Sequence, residues 1–165
     1  VLLKCFKNSP ELTKLDMMGC LSVSLQGFKN LTNQSFNLTN LNISFTSLNN
    51  KALSYICENL GQLEIVTISN CHNIGKFHYI SKLNKLEFLY CRDNFIEDRD
   101  FIKIVNGAKN LQQIDISSCN LLTNKSLKTL TTKKVKRPPI IVCFPISKNI
   151  LPKNLTDYHK FHFYP

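Results

Sequence analysis

A nine-residue phrase returns at a nearly even period, and it limits the possible folds more than any other feature of the chain. It reads Leu12-Thr-Lys-Leu15-Asp-Met17-Met-Gly-Cys20, then Leu38-Thr-Asn-Leu41-Asn-Ile43-Ser-Phe-Thr46. It returns as Leu63-Glu-Ile-Val66-Thr-Ile68-Ser-Asn-Cys71, Leu86-Glu-Phe-Leu89-Tyr-Cys91-Arg-Asp-Asn94 and Leu111-Gln-Gln-Ile114-Asp-Ile116-Ser-Ser-Cys119. The leading leucines are thus Leu12, Leu38, Leu63, Leu86 and Leu111. A fixed period of roughly 20–50 residues is the mark of a solenoid, in which each unit buries its apolar face only against its neighbours. The expected function is therefore surface recognition.

Within each phrase the fourth and sixth residues are apolar and alternate with polar ones, as in a short half-buried strand. The spacing predicts strand cores at Leu15 and Met17, Leu41 and Ile43, Val66 and Ile68, Leu89 and Cys91, and Ile114 and Ile116. Helices return the chain between them. Asn50–Leu60 places Leu53, Ile56, Cys57 and Leu60 on one stripe, with Asn49 or Asn50 as N-cap and Gly61 where a C-cap belongs. The segment from Asp98 repeats the design, with acids at its positive end and Gly107 just past the other end. Further helices are expected at Lys76–Leu83 and Asn124–Leu130, and a less regular one around Leu25, Phe28 and Leu31. A sixth strand is expected at Ile140–Phe144, with Ile140 lying one repeat period after Ile114. Residues 1–145 read as the repeat domain and 146–165 as an aromatic tail.

The pattern Leu-x-x-Leu-x-Leu-x-x-(Cys/Asn) resembles the leucine-rich repeat, and Cys20, Cys71 and Cys119 at its ninth position resemble the cysteine-containing subclass. That subclass is typical of the leucine-rich-repeat F-box proteins, the substrate receptors of Skp–cullin–F-box ubiquitin ligases. Cys57 in the helix before a phrase, and the run from Cys119 through Thr123 to Leu127, also follow the family's habit. The resemblance implies an α/β leucine-rich-repeat solenoid of about six repeats, a right-handed β-α superhelix of the ribonuclease-inhibitor kind. It implies a substrate-binding region whose ligase subunits attach through a missing N-terminal module. No F-box is found, and the chain opens inside a repeat's helix, so it reads as a C-terminal fragment.

The chain has 165 residues and 43% hydrophobic content, enough for a continuous core. Net charge is +10, from 18 Lys and 3 Arg against 11 acids. The lysines are spread along the whole chain, which reads as a solvated outer surface. Lysine-mediated nucleic-acid binding is an alternative, with Lys133–Arg137 as its densest stretch. No aromatics are interleaved there for base stacking. Of the seven cysteines, Cys20, Cys71, Cys91 and Cys119 fall inside the phrase and follow the repeat period, not a metal pattern, and the cysteines read as reduced structural thiols of a cytoplasmic or nuclear protein. Six Asn-x-Ser/Thr sequons are discounted as chance in an Asn-rich chain, and Asn42 would sit inside a strand.

No catalytic constellation stands out. His72 adjoins Cys71, but neighbouring strand residues face opposite sides. His159-x-x-His162 has no evident further metal ligand. Asp93, Asp98 and Asp100 read as a solvated turn and helix start. Neither enzyme activity, cofactor nor metal is expected.

The concave face carries the functional expectation. Stacked strands lie about 4.8 Å apart, so equivalent positions become neighbours. Ile65 and Phe88 should adjoin, with Tyr90 and Arg92 beside them and Gln113 and Asp115 next. Aromatic and Arg side chains centred in a polar rim are what interface hot spots are made of. A protein partner on this face is the first reading, and coverage by the chain's own aromatic tail is the second. Non-ligase scaffolds resembling a mitochondrial coupling factor or mitotic-exit regulators are the rival class.

Overall fold

The computed structural model describes residue 9 and residues 11–33, 37–131, 140–145 and 161–164. Strands and helices alternate along it. They are β1 (Lys14–Asp16), α1 (Leu25–Thr32), β2 (Asn40–Asn42), α2 (Asn50–Asn59), β3 (Ile65–Thr67), a 3₁₀ helix (Phe77–Lys82) and β4 (Phe88–Tyr90). Then come α3 (Asp98–Gly107), β5 (Gln113–Asp115), α4 (Asn124–Thr131), β6 (Ile141–Pro145) and β7 (Phe161–Tyr164). All seven strands form one parallel sheet in chain order. This is the topology that strand–helix repeats must adopt, because parallel neighbours need a crossover.

The register follows the phrase. Leu15 pairs with Leu41, Leu41 with Val66, Val66 with Leu89 and Leu89 with Ile114. The last four are 0–2% exposed, while Leu15, on the end strand, is half-buried against the core. The sixth-position residues Met17, Ile43, Ile68, Cys91 and Ile116 are buried with them, as is the helix stripe Leu53, Ile56, Cys57 and Leu60. One hydrophobic cluster runs from Met17 to Val142. The repeating strand–turn–helix unit on a single parallel sheet fits an α/β leucine-rich-repeat fold.

The ninth position has a definite task. Cys71 Sγ donates to the Ile43 carbonyl at 3.2 Å, Asn94 Nδ2 to Ile68 at 2.8 Å, and Cys119 Sγ to Cys91 at 3.2 Å. In each case a small donor closes the sixth-position carbonyl of the preceding repeat. Thr46 Oγ1 donates to Ile43 of its own repeat at 2.8 Å. Buried carbonyls must be satisfied, and that need selects Cys, Thr or Asn.

The eighth position turns the chain out of the strand. Gly19, Phe45, Asn70, Asp93 and Ser118 all have φ between 51° and 73°. Gly, Asn and Asp tolerate the left-handed region, and Phe does so poorly. The amides here bond across repeats, as in Asn70 N to Arg92 O at 3.0 Å and Asp93 N to Ser117 O at 2.9 Å.

Several expectations need correction. The third return segment is a six-residue 3₁₀ helix, Phe77–Lys82. Its repeat, from Leu63 to Leu86, is the shortest between leading leucines. A 3₁₀ helix rises about 2.0 Å per residue against about 1.5 Å in an α-helix, so it covers the return with fewer residues. Gly107 is the last residue of α3, not a residue beyond it. Gly61 does not take a positive φ. The sixth strand aligns Val142, not Ile140, with Ile114. Asp100 is not solvated: it is 1% exposed, accepting from Phe77 N at 3.2 Å and lying 3.1 Å from His78 Nδ1. Asp98 accepts from the Thr123 amide and hydroxyl of the next repeat at 2.9 and 2.6 Å. The end of the tail, Phe161–Tyr164, pairs beside β6 as the edge strand. The basic stretch 133–137 and His159 lie outside the described residues.

Cysteine chemistry divides sharply. The described cysteines are all free; Cys20 is exposed, and Cys57, Cys71, Cys91, Cys119 and Cys143 are buried. Burial pushes the Cys119 thiol up to about 11, and raises Cys57, Cys71 and Cys91 as well. The thiolate is the reactive form. Among these six, iodoacetamide at mildly alkaline pH should label Cys20 in the native protein, and the other five only in denaturant. Peptide mass spectrometry reads this, and fast native labelling of Cys71 or Cys91 would contradict the burial.

Candidate functional site

The strand face away from the helices presents the third and fifth residues of each phrase. Along the third-position row, Lys14, Asn40, Ile65, Phe88 and Gln113 are consecutive register partners. Along the fifth-position row run Asp16, Asn42, Thr67, Tyr90 and Asp115. Ile65 and Phe88 are thus side by side, with Thr67 and Tyr90 as the next pair. All four are half-buried, leaving part of each side chain accessible. Three-residue strands hold the side chains in place because each flanks a fourth-position anchor that is fully buried.

The polar residues of this face are mostly engaged by the fold. Seventh-position amides need acceptors where the chain leaves the strand. Met18 N donates to Asp16 Oδ1 at 2.8 Å, Ser44 N to Asn42 Oδ1 at 3.1 Å, and Ser117 N to Asp115 Oδ1 at 3.0 Å. Where the fifth residue is Thr67 or Tyr90, the preceding repeat's serine substitutes. Ser69 N donates to Ser44 Oγ at 3.0 Å and Arg92 N to Ser69 Oγ at 3.1 Å. Asp16 and Asn42 are further joined by Asn42 Nδ2 donating to Asp16 Oδ2 at 3.1 Å.

Asp115 and Arg92 form one unit. Arg92 Nε donates to Asp115 Oδ2 at 2.6 Å, with the aspartate side chain 4% exposed and the arginine 49%. Strand parity placed Asp115 on the face. The structure places it beneath the arginine, where it orients the guanidinium. Gln113 is half-buried, its Nε2 3.9 Å from Cys143 Sγ. Ile65, Phe88 and Tyr90 therefore form the apolar part of the site, with Arg92 at its border.

Beside this cluster the face dips into a shallow hollow of about 350 Å³, between β1, β2 and β3. Lys14, Asp16, Asn40 and Asn42 line it on one side and Ile65 and Thr67 on the other. An extended peptide could set polar groups here and an apolar side chain against Phe88.

Cys71 and His72 point apart. The thiol is buried against Ile43 O, while the imidazole packs on the Phe95 ring (centroids 5.3 Å) and donates from Nε2 to Asp93 O at 3.0 Å. Both lie in the turn after β3, not in the strand. Among the described residues, no three His, Cys, Asp or Glu side chains are grouped to hold a metal ion. Nor is any helix among them long and apolar enough to cross a membrane.

Sequence reasoning missed an apolar rim at the strand-exit turns. Met18, Leu21, Phe45, Phe95 and Leu121 are 44–70% exposed. Their signal was available: large apolar residues at the seventh, eighth, tenth or eleventh place, beyond the buried positions of the phrase.

The chain matches no family model and no curated protein. Among solved structures it is similar to a chain of the Rad7–Elc1 complex of yeast, at 13% identity and a TM-score of 0.48 over 83% of this chain. It spans 43% of that chain's length. It is also similar to internalin C2 of Listeria monocytogenes, at 13% identity and a TM-score of 0.47, covering 99% of this chain and 92% of that one.

Proposed function

We propose that this chain is a protein-recognition module: a leucine-rich-repeat solenoid of the cysteine-containing subclass that takes its partner on the concave strand face. By the same reading it is the substrate-binding region of an F-box-type adaptor in Skp–cullin–F-box ubiquitin ligation. Ubiquitin transfer then belongs to partner subunits, and this chain performs no catalysis. Its buried, unpaired cysteines suit the reducing cytoplasm or nucleus.

One observation carries the reading. Register sets Ile65 beside Phe88 and Thr67 beside Tyr90 in the middle of a face whose other polar groups are largely committed to the turns. A half-buried aromatic cluster within a polar surround is the composition of an interface centre.

The test is a Phe88→Ser, Tyr90→Ser variant of the full-length protein, compared with wild type by affinity capture and quantitative mass spectrometry. A captured partner should fall by roughly 100-fold or more in affinity, the effect of two central interface residues that each contribute at least about 1.4 kcal/mol. Circular dichroism and thermal melting should change little. Ligase subunits should still co-purify, because they attach elsewhere. Arg92 is left intact in this test, since truncating it would expose the buried Asp115 carboxylate without its ion pair and confuse folding with binding. Unchanged capture of the same partner by a folded variant defeats the proposal.

A further inference from the structure

The opposite, helix-covered side of the sheet holds a larger hollow, of about 970 Å³, between α1, α2 and the 3₁₀ helix. We propose that this groove is a second docking site and that its occupant is an acidic peptide segment of a protein partner.

Charge carries the argument. The walls bring together Lys29 of α1, Lys51 of α2 and Lys76 at the start of the 3₁₀ helix, with Glu58 as their one acid. Glu58 is already answered, accepting from Lys82 Nζ at 2.8 Å and Ser54 Oγ at 2.9 Å. Those bonds hold its carboxyl below the usual range. Lys51 and Lys76 are exposed, and neither forms an ion pair among the described residues. The groove thus keeps three positive charges for an incoming anion, in a chain of net charge +10. Converging like charges in a recess raise the local concentration of opposite charge.

The tyrosines narrow the choice of anion. Tyr55 has Lys29 Nζ 4.7 Å above its ring, and Tyr79 packs against His78 at 4.5 Å with Lys82 Nζ at 5.9 Å. Each ring already carries a neighbour, which disfavours the bare stacking platforms that single-stranded nucleic acid uses. Three lysines also fall short of the roughly six to ten phosphate contacts typical of duplex binding. Carboxylates spaced along a peptide need only separated point charges, with Tyr55 and Tyr79 covering the stems between them.

Fluorescence anisotropy of a fluorescein-labelled Glu–Ala repeat peptide, titrated with the complete chain, tests this. The Lys29→Glu, Lys51→Glu, Lys76→Glu variant should bind about ten-fold or more weakly. A Lys103→Glu, Lys109→Glu, Lys125→Glu variant makes the same charge change outside the groove and should stay within about two-fold of wild type. If circular dichroism shows that the first variant is misfolded, Gln replaces Glu at all six positions and the comparison is repeated. Equal weakening of the two variants would show a general charge effect and overturn the proposal. So would undetectable peptide binding by wild type, or a single-stranded oligonucleotide that binds more tightly than the peptide and loses affinity only in the groove variant. The outcome is independent of the strand-face variant, because Phe88 and Tyr90 lie on the other side of the sheet.

Discussion

Replacing Asn94 by Ala is expected to remove about 3–5 kcal/mol of folding stability, for a fall in Tm of roughly 10 °C. Asn94 is 2% exposed, and its side chain binds four backbone groups, two in the preceding repeat and two in its own. Its Oδ1 accepts from Cys71 N at 2.9 Å. Its Nδ2 lies 2.8 Å from Ile68 O, 3.1 Å from Cys91 O and 3.1 Å from Arg92 O. Truncation leaves the Cys71 amide and the Ile68 carbonyl buried without these partners, at about 1–3 kcal/mol each. It also opens a small void between repeats. Asn94→Cys should recover part of the loss, because Cys119 shows that a thiol can close the preceding carbonyl from this position. It cannot recover all, since the accepting half of the amide has no counterpart in a thiol at this geometry. Urea melts of the two variants test the order. An Ala variant as stable as wild type would mean that water or backbone movement satisfies the exposed groups.

The same residue marks how far the sequence is legible. The period, the buried fourth-position column and the helix stripe can be read because they rest on apolar spacing, and burial follows spacing. Val66, Leu89 and Ile114 occupy the column that the phrase predicts. What the spacing does not carry is where polar groups go. Asp16, Asn42 and Asp115 look like free surface residues by strand parity, yet each accepts the seventh-position amide of its own turn. Asp100 looks like a helix-start charge and instead serves the backbone of the preceding repeat. These bonds join residues a whole repeat apart or close tight turns, and only the register brings the partners together. The helix-side lysines are a similar case. Lys29, Lys51 and Lys76 read as a dispersed charge in sequence, and stacking one repeat on the next gathers them into one groove.

The strand-face cluster was legible for a related reason. Ile65, Phe88 and Tyr90 lack the hydrogen-bonding groups that would draw them into the turn, apart from the Tyr90 hydroxyl, so parity alone sets their place. The outward row is therefore a composite. Polar members largely hold the turns, and the apolar members Ile65, Phe88 and Tyr90 stay half-buried on the face. A substitution that converts Tyr90 to an Asp-like acceptor would move the site toward the structural role seen at Asp115.

Gly107→Ala should be the second large loss, about 2 kcal/mol net of overpacking against helix propensity. A Cβ at Gly107 would stand 2.5 Å from Ser81 Cβ and 2.6 Å from the Ser81 carbonyl oxygen. Both contacts are far inside van der Waals distance, so α3 and the 3₁₀ helix must separate. Overpacking of this kind costs about 1–3 kcal/mol, and the upper end applies because backbone cannot rotate away. Better helix propensity returns about 1 kcal/mol at most, and less at the last residue of the helix. The two elements are also joined through Asp100, which bonds to Phe77 and His78. Strain at Gly107 should therefore spread to those bonds, and the Asp100-linked amide of Phe77 should exchange faster with solvent. Ser81→Gly added to Gly107→Ala separates the two clashes. It removes the Cβ contact and keeps the carbonyl one, so it should rescue stability only in part, while also losing the Ser81 Oγ bond to His78 O at 2.6 Å. Full rescue would mean that the side chain, not the backbone, sets the spacing between these repeats. A stabilised Gly107→Ala variant would mean that the approach of α3 to Ser81 is looser than the packing requires.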